Sequence, residues 1–252
     1  RYLLGRQLDS VMNYPFRDAV LGFLTGADAG DMLNIVLSIV ENYPPQVVRL
    51  LMNHIGTHDT ERAITILAGE PSRGRGRDWQ SGVSLSPEQK AWGLRQMRLA
   101  SAMQYTLPGV PCVYYGDETG MEGYKDPFNR GCYPWDREDQ DLVSWYQTLG
   151  KLRASLPVLK EGGIQKVFAQ GHTMAYLRTN GLPDGTGDLL CAFHMGGGEQ
   201  RVPLPHGWEN AQMVLPGGTV EGNTLILPEE SCCFLWKPEK KTAGESQQKD
   251  TV

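Results

Sequence analysis

The stretch "VVRLLMNHIGTHDTER" (residues 47–62) sets a mostly apolar run directly against two histidines, an aspartate and an arginine. An apolar run of this length, preceded by Pro44-Pro45 and closed by polar residues, predicts a strand buried on both faces, the kind found in parallel sheets. His54, His58 and Asp59 then leave the strand end together.

The flanking sequence repeats the pattern. "DSVMNY" (9–14) is short and apolar, and Pro15 opens a helix that runs to the glycine of "PFRDAVLGFLTG" (15–26). "GDMLNIVLSIVENYPP" (30–45) carries Met32, Leu33, Val36, Leu37 and Val40 at helical spacing until its prolines stop it. A basic, glycine-rich loop, "RGRGRDWQSGVS" (73–84), precedes Ser86-Pro87-Glu88-Gln89, a capping box with proline at the first helical position. The helix it starts runs to about Leu107, Pro108-Gly109 ends it, and "VPCVYY" (110–115) is a third buried-strand candidate. Three strand-then-helix cycles predict parallel α/β architecture.

After a last helix near 138–155 the pattern changes. "GGIQKVFA", "TMAYLRT", "GDLLCAFHM", "QRVPLP", "AQMVLP", "NTLILP" and "SCCFLWK" are short strand-like runs punctuated by Gly, Pro and Asn, the spacing of an all-β antiparallel sandwich. The expected division is therefore 1–156, 157–238, and a disordered polar tail at 239–252.

A formal charge of -5 over 252 residues gives no footprint for nucleic acid. No apolar run approaches the roughly 20 residues of a membrane span. Five cysteines without paired spacing predict buried free thiols and a reducing, cytoplasmic setting.

"LDSVMNYPFRDAV" (8–20), "NHIGTHDTER" (53–62) and "GVPCVYYGDETGMEGYKDPFNRGCYPW" (109–135), followed by a small β-sandwich, resemble the α-amylase superfamily of glycoside hydrolases, in particular its neopullulanase, cyclomaltodextrinase and maltogenic amylase branch. The resemblance spans residues 1–237. It implies the C-terminal portion, about three βα units, of a (β/α)8 TIM barrel: strands six, seven and eight, with the site on the loops after their C-terminal ends. It implies an α-glucan substrate, α-1,4 and in some cases α-1,6 linked, and no cofactor. Asp59 would match the carboxylate that steadies the oxocarbenium-like ring, His58 would bond the same sugar, and Asp126 with Arg130 would grip a neighbouring glucose.

Retaining hydrolysis needs a nucleophile and a general acid about 5–5.5 Å apart, which the family carries on strands four and five. "GRQLD" (5–9) has its Arg6 one position too early for the family's "GxRxD", and Glu118 and Glu122 follow strand eight. The expectation is a piece of a longer hydrolase, inactive alone. A glucanotransferase, or a non-catalytic carbohydrate-binding protein on an amylase-like fold, stays open, as does self-association through exposed barrel edges.

Each site residue also has a plainer reading. Asp59 could cap the next helix, a role that passes to Thr60 if Asp59 is catalytic. His54 reads as structural. His54, His58 and Asp59 lack the helical spacing of a zinc pair, and no metal site is assigned. Asp126 and Arg130 could form a surface ion pair. Trp135, Tyr114, Tyr115 and Tyr124 read as packing groups, with Tyr124 on the loop that would face substrate, and Met12, Met32, Met97 and Met103 as core filling.

Overall fold

The computed structural model describes Leu3 and residues 6–238, so the polar tail expected at 239–252 lies outside the described residues. Helices follow their sequence signals closely. α1 (Tyr14–Leu24) starts on Asn13, whose side-chain oxygen accepts from Phe16 N at 3.3 Å. α2 (Ala29–Asn42) is capped by Asp28. α6 (Pro87–Thr106) has the full capping box: Gln89 N donates to Ser86 Oγ at 3.2 Å, and Ser86 N donates to Gln89 Oε1 at 2.9 Å. α7 (Gln140–Ser155) starts on Asp139.

The strands of this half are much shorter than expected. Of 9–14 only Met12 pairs, in a single parallel bridge to Met52. β1 is Met52–Asn53 and β2 is Val110–Pro111, joined in parallel. Val47 and Val48 belong instead to a helical turn, α3 (Pro45–Val48), because Pro45 presets the first-turn backbone and both valine N–H groups find Pro44 O. β2 stops at Pro111, which has no N–H for a ladder, and no described strand lies on its outer edge. Two further short helices complete this half, α4 (Ala63–Ala68) and α5 (Arg77–Gly82). α5 replaces part of the basic loop, and the Arg75 guanidinium lies 4.3 Å from the centre of the Trp79 ring.

So narrow a ribbon is held by side-chain amides. Asn13 Nδ2 donates to Asn53 Oδ1 at 3.0 Å, and Asn53 Nδ2 to Pro108 O at 2.9 Å. From α6, Gln104 Nε2 donates to both Asn53 O and Cys112 O at 2.9 Å. All three amides are buried. Gly109 sits at φ +124° with Asn53 pressed against it: a Cβ there would lie 2.6 Å from Asn53 Nδ2.

The rest of the described chain, after the short helix α8 (Val158–Glu161), is antiparallel. A five-stranded sheet runs in the order β3 (Gly163–Gln170), β4 (Thr173–Thr179), β5 (Leu189–His194), β10 (Ser231–Trp236), β7 (Gln212–Leu215). A three-stranded sheet runs β6 (Gln200–Pro203), β9 (Thr224–Leu227), β8 (Thr219–Glu221), and β8 has no counterpart among the runs read from the sequence. The alternation of the pleat sends Met174, Tyr176, Cys191, Phe193, Cys232 and Phe234 into one core with α1, α2, α6 and α7. Ala175, Leu177, Leu190, Ala192, Cys233 and Leu235 face Val202, Leu225 and Leu227 of the other sheet. Met32, Met97 and Met103 are in the core, whereas Met12 is half-buried.

Arg178 on β4 is buried without a carboxylate partner among the described residues. Its guanidinium donates to Gly163 O at 3.0 Å, Gly162 O at 2.6 Å, Leu159 O at 3.3 Å and Thr106 O. These carbonyls include the ends of α6 and α8, where the helix dipole favours a cation. Burial lowers its pKa to about 10. Tyr176 OH meets Thr106 Oγ1 at 2.7 Å beside it.

His54, read as structural, is buried edge-on to Tyr14 with ring centroids 4.7 Å apart, and neither ring nitrogen has a partner among the described residues. Burial, reinforced by Arg17, lowers its pKa to about 4.

Two stability predictions follow from these contacts. Gly109→Ala should lower unfolding free energy by about 1–3 kcal/mol and Asn53→Ala by about 2–3 kcal/mol. The double variant should lose less than the sum, because removing the Asn53 amide clears space for the new methyl; additive losses in urea titrations would show that Asn53 is not what requires the glycine. For His54 the unfolded chain takes up a proton near pH 6.5 and the folded chain only near 4, so wild-type stability drops as pH falls through that window. Relative to wild type, His54→Phe should therefore gain on the order of 3 kcal/mol between pH 6.5 and 4. A pH-independent difference between the two unfolding curves would refute the buried neutral imidazole.

Candidate active site

Two loops leave the same end of the parallel ribbon. The first, residues 54–62, follows β1. It turns at Thr57, whose hydroxyl accepts from Asp59 N at 3.1 Å and faces Thr60 Oγ1 at 3.2 Å. His58 and Asp59 then project outward, 54% and 57% exposed, with His58 Nε2 3.3 Å from Asp59 Oδ1. Neither Asp59 nor Thr60 caps the next helix: α4 begins at Ala63 after Arg62, with no side-chain cap. The carboxylate of Asp59 is thus not consumed at a helix end.

The second loop, residues 112–135, follows β2 and is stapled to the first by polar contacts. Arg62 is fully buried; it donates to Tyr115 O, lies 3.5 Å from Asp117 Oδ1, and stacks 4.3 Å and 4.7 Å from the ring centres of Tyr114 and Tyr115. Burial raises the Asp117 pKa to about 7 against the opposing pull of Arg62. The first loop passes Asp117 so closely that a Cβ on Gly56 would lie 2.4 Å from its Oδ2. Arg62 N donates to Gly123 O at 2.9 Å, and Gly123 N donates to Thr65 Oγ1 at 2.9 Å.

The second loop carries Asp126 and Arg130, which form an exposed ion pair, Nε to Oδ1 2.8 Å. Between them in the chain stands Asn129, fully buried in the turn Phe128–Arg130. Its Nδ2 donates to His58 O at 2.8 Å and to Thr60 O at 2.7 Å, the two carbonyls that flank Asp59. The four residues singled out from the sequence therefore stand on two loops fastened together beside Asp59 itself. Asn129 was not singled out, because its partners lie about seventy positions away; the one local signal was its place inside "DPFNR".

Tyr124, read as a packing group although it lies on the loop expected to face substrate, is packed: it is only 3% exposed and donates to Glu70 O at 2.8 Å. Trp135, read as packing, is 75% exposed, with its ring 4.5 Å from that of Tyr133. Glu118 and Glu122 accept from Gly116 N at 2.8 Å and Leu85 N at 2.6 Å, so both carboxylates hold backbone. All five cysteines are free; Cys191, Cys232 and Cys233 are buried, whereas Cys132 is exposed and Cys112 lies between.

The family profile described as "Alpha amylase, catalytic domain" matches residues 1–154. The chain is 36% identical over 188 residues to an amylopullulanase of Thermoanaerobacter thermohydrosulfuricus, covering 70% of this chain and 12% of that protein. It is 30% identical over 243 residues to a cyclomaltodextrinase of Geobacillus thermopakistaniensis (strain MAS1), covering 94% of this chain and 36% of that protein. It spans about an eighth of the first of these relatives and little more than a third of the second. In fold it is similar to a debranching enzyme of Nostoc punctiforme, with a TM-score of 0.74 and 24% identity over 93% of this chain and 48% of that one. With its profile match covering more than half of its length, the chain belongs to the alpha-amylase catalytic-domain family.

Proposed function

We propose that these residues form the C-terminal part of a retaining α-glucan hydrolase that cleaves α-1,4 glucosidic bonds, with α-1,6 bonds as a secondary target, in maltooligosaccharides, cyclodextrins or pullulan. Residues 1–156 supply the last three βα units of the barrel, and 157–238 a β-sandwich domain docked on it. Asp59 stabilises the positive charge that develops on the sugar ring, His58 orients that sugar, and Asp126 with Arg130 holds the adjacent glucose. The nucleophile and the general acid stand on barrel strands that these residues do not include, so the 252-residue chain alone does not turn over. The outer edges at Met12 and at β2, where Val110 and Val113 are exposed, receive the neighbouring barrel strands, or a second copy of the chain when those strands are missing. The enzyme works in the cytoplasm.

The observation that carries this reading is the Asn129 clamp. A capping aspartate would have its carboxylate bound to a helix end; here a buried amide grips the backbone on both sides of Asp59 while the carboxylate itself stays open to solvent. The names of the relatives, amylopullulanase and cyclomaltodextrinase, agree with a glucan substrate.

Expressed from the full reading frame that contains these residues, the protein should release reducing ends from β-cyclodextrin, pullulan or soluble starch with retained anomeric configuration. Asp59→Asn should lower kcat by about 10²–10³-fold, the scale of losing one preorganised electrostatic contact to the transition state. Inactivity on all three polymers, or a fully active Asp59→Asn enzyme, would sink the proposal, and longer oligosaccharides from maltotriose would make it a transferase. Asn129→Leu removes both grips on the Asp59 loop. It should reduce kcat by roughly 10–100-fold, as a displacement of about 1 Å does, with a smaller change in KM. Asn129→Gln, which keeps the donor, should recover part of the loss; equal defects in both variants would reduce Asn129 to a folding role.

A further inference from the structure

We propose that Asp117 is a positioning residue for Asp59: its buried carboxylate holds both ends of the segment 56–62, on which His58 and Asp59 stand. At one end a Cβ on Gly56 would lie 2.4 Å from Asp117 Oδ2 and 2.8 Å from Oδ1, so the carboxylate rests directly against the main chain there. At the other end Arg62 Nη1 lies 3.5 Å from Asp117 Oδ1, and no other carboxylate among the described residues pairs with that guanidinium. Both side chains are closed off from solvent, Arg62 at 0% and Asp117 at 1% exposure. The short turn Asp117–Thr119 that presents the carboxylate is itself fixed. Asp117 N donates to Tyr114 O at 3.0 Å, Gly120 N donates to Asp117 O at 3.1 Å, and Lys90 Nζ of α6 donates to Gly120 O.

The two contacts act differently. Asp117 Oδ2 has no hydrogen-bond partner among the described residues, so on the Gly56 side the carboxylate acts as a wedge that fills the room under the chain. On the Arg62 side it acts by charge. The other contacts of that guanidinium leave its direction loose: the faces of Tyr114 and Tyr115 attract a cation from a broad range of angles, Met121 Sδ at 3.9 Å from Nη2 is a weak acceptor, and Nε has no partner. The carboxylate supplies the one full opposite charge, in a site with no water to screen it. Burial opposes the ionisation of Asp117, so a neutral side chain of the same shape is tolerated in its place. Asn129 grips the middle of the same segment at His58 O and Thr60 O. With both ends and the middle held, Asp59 keeps one place while its carboxylate stays in solvent. That this place serves hydrolysis rests on the function proposed above; the hold itself does not.

Amide hydrogen exchange on the 252-residue chain tests the hold without turnover. Asp117→Ala removes the wedge and the counter-charge together. It should speed exchange of the Asp59 and Arg62 N–H groups, bonded to Thr57 Oγ1 and Gly123 O, by roughly tenfold, while the amides of β5 keep their rates. Asp117→Asn keeps the wedge and the fold but withdraws the charge, and a smaller rise at the same two amides is expected. Unchanged exchange at both amides in both variants would overturn the proposal. So would a rise that β5 shares in Asp117→Asn, which would reduce Asp117 to a folding role. In the full reading frame, a residue that acts through Asp59 loses its effect once Asp59 is replaced. Asp117→Asn should therefore lower kcat by about tenfold with little change in KM, and should add almost nothing to the loss in Asp59→Asn. Losses that multiply would overturn the positioning role. A wild-type protein inert on every glucan, with the exchange changes present, removes the hydrolase reading alone; an active one without them removes this proposal alone.

Discussion

Everything at the candidate active site depends on how the Asn53 amide is bonded. Two-residue strands exchange too few backbone hydrogen bonds to fix a register, so the register is held by Asn13, Asn53 and Gln104, each amide reaching across to a different strand or helix end. Because these amides are buried, the alternative to their present partners is no partner at all, at a penalty of about 1–3 kcal/mol per group. That asymmetry makes a narrow ribbon specific. It also explains the glycine at 109, the only residue type that leaves room for Asn53 to reach Pro108 O.

The same logic continues into the loops. Arg62, Asn129, Gly123 and Thr65 bind one segment to the other through hydrogen bonds. Polar stapling from beneath lets His58, Asp59, Asp126 and Arg130 stay exposed while their main chain is fixed. A packed apolar loop would fix the backbone equally well but would bury the side chains that a sugar must reach.

What the sequence disclosed divides along the range of the interaction. Local signals were legible: Ser86 and Gln89 announced α6, Asn13 and Pro15 opened α1, and "TMAYLRT" and "LLCAFH" read as strands because they pack on both faces. Segments whose state depends on a neighbour were not. Residues 47–51 and 112–115 have strand composition, yet no described strand flanks β2, and Pro45 tips 45–48 into a helical turn. Asn129 was invisible for the same reason, since nothing within ten residues of it signals a partner at 58 or 60. Trp135 stands exposed where packing was expected because aromatic character predicts burial only on average.

Arg178 shows why the β half and the helical half fix each other's position. A buried guanidinium without a carboxylate is tolerable only when each of its nitrogens has an acceptor, and here the acceptors are Gly163 O at the start of β3 and three carbonyls in or just after the ends of α6 and α8. The strand that carries Arg178 therefore cannot shift against α6 and α8 without exposing the cation and the helix ends to an unpaired state together. An apolar interface would tolerate small slides, since dispersion contacts are interchangeable among neighbours; a forked cation with four acceptors does not. The sheet that packs on α6 is thereby held at one angle, and α6 in turn carries Gln104, which grips the ribbon. The register at the site is thus set from two directions, by amides within the ribbon and by a cation seated behind the helix that braces it.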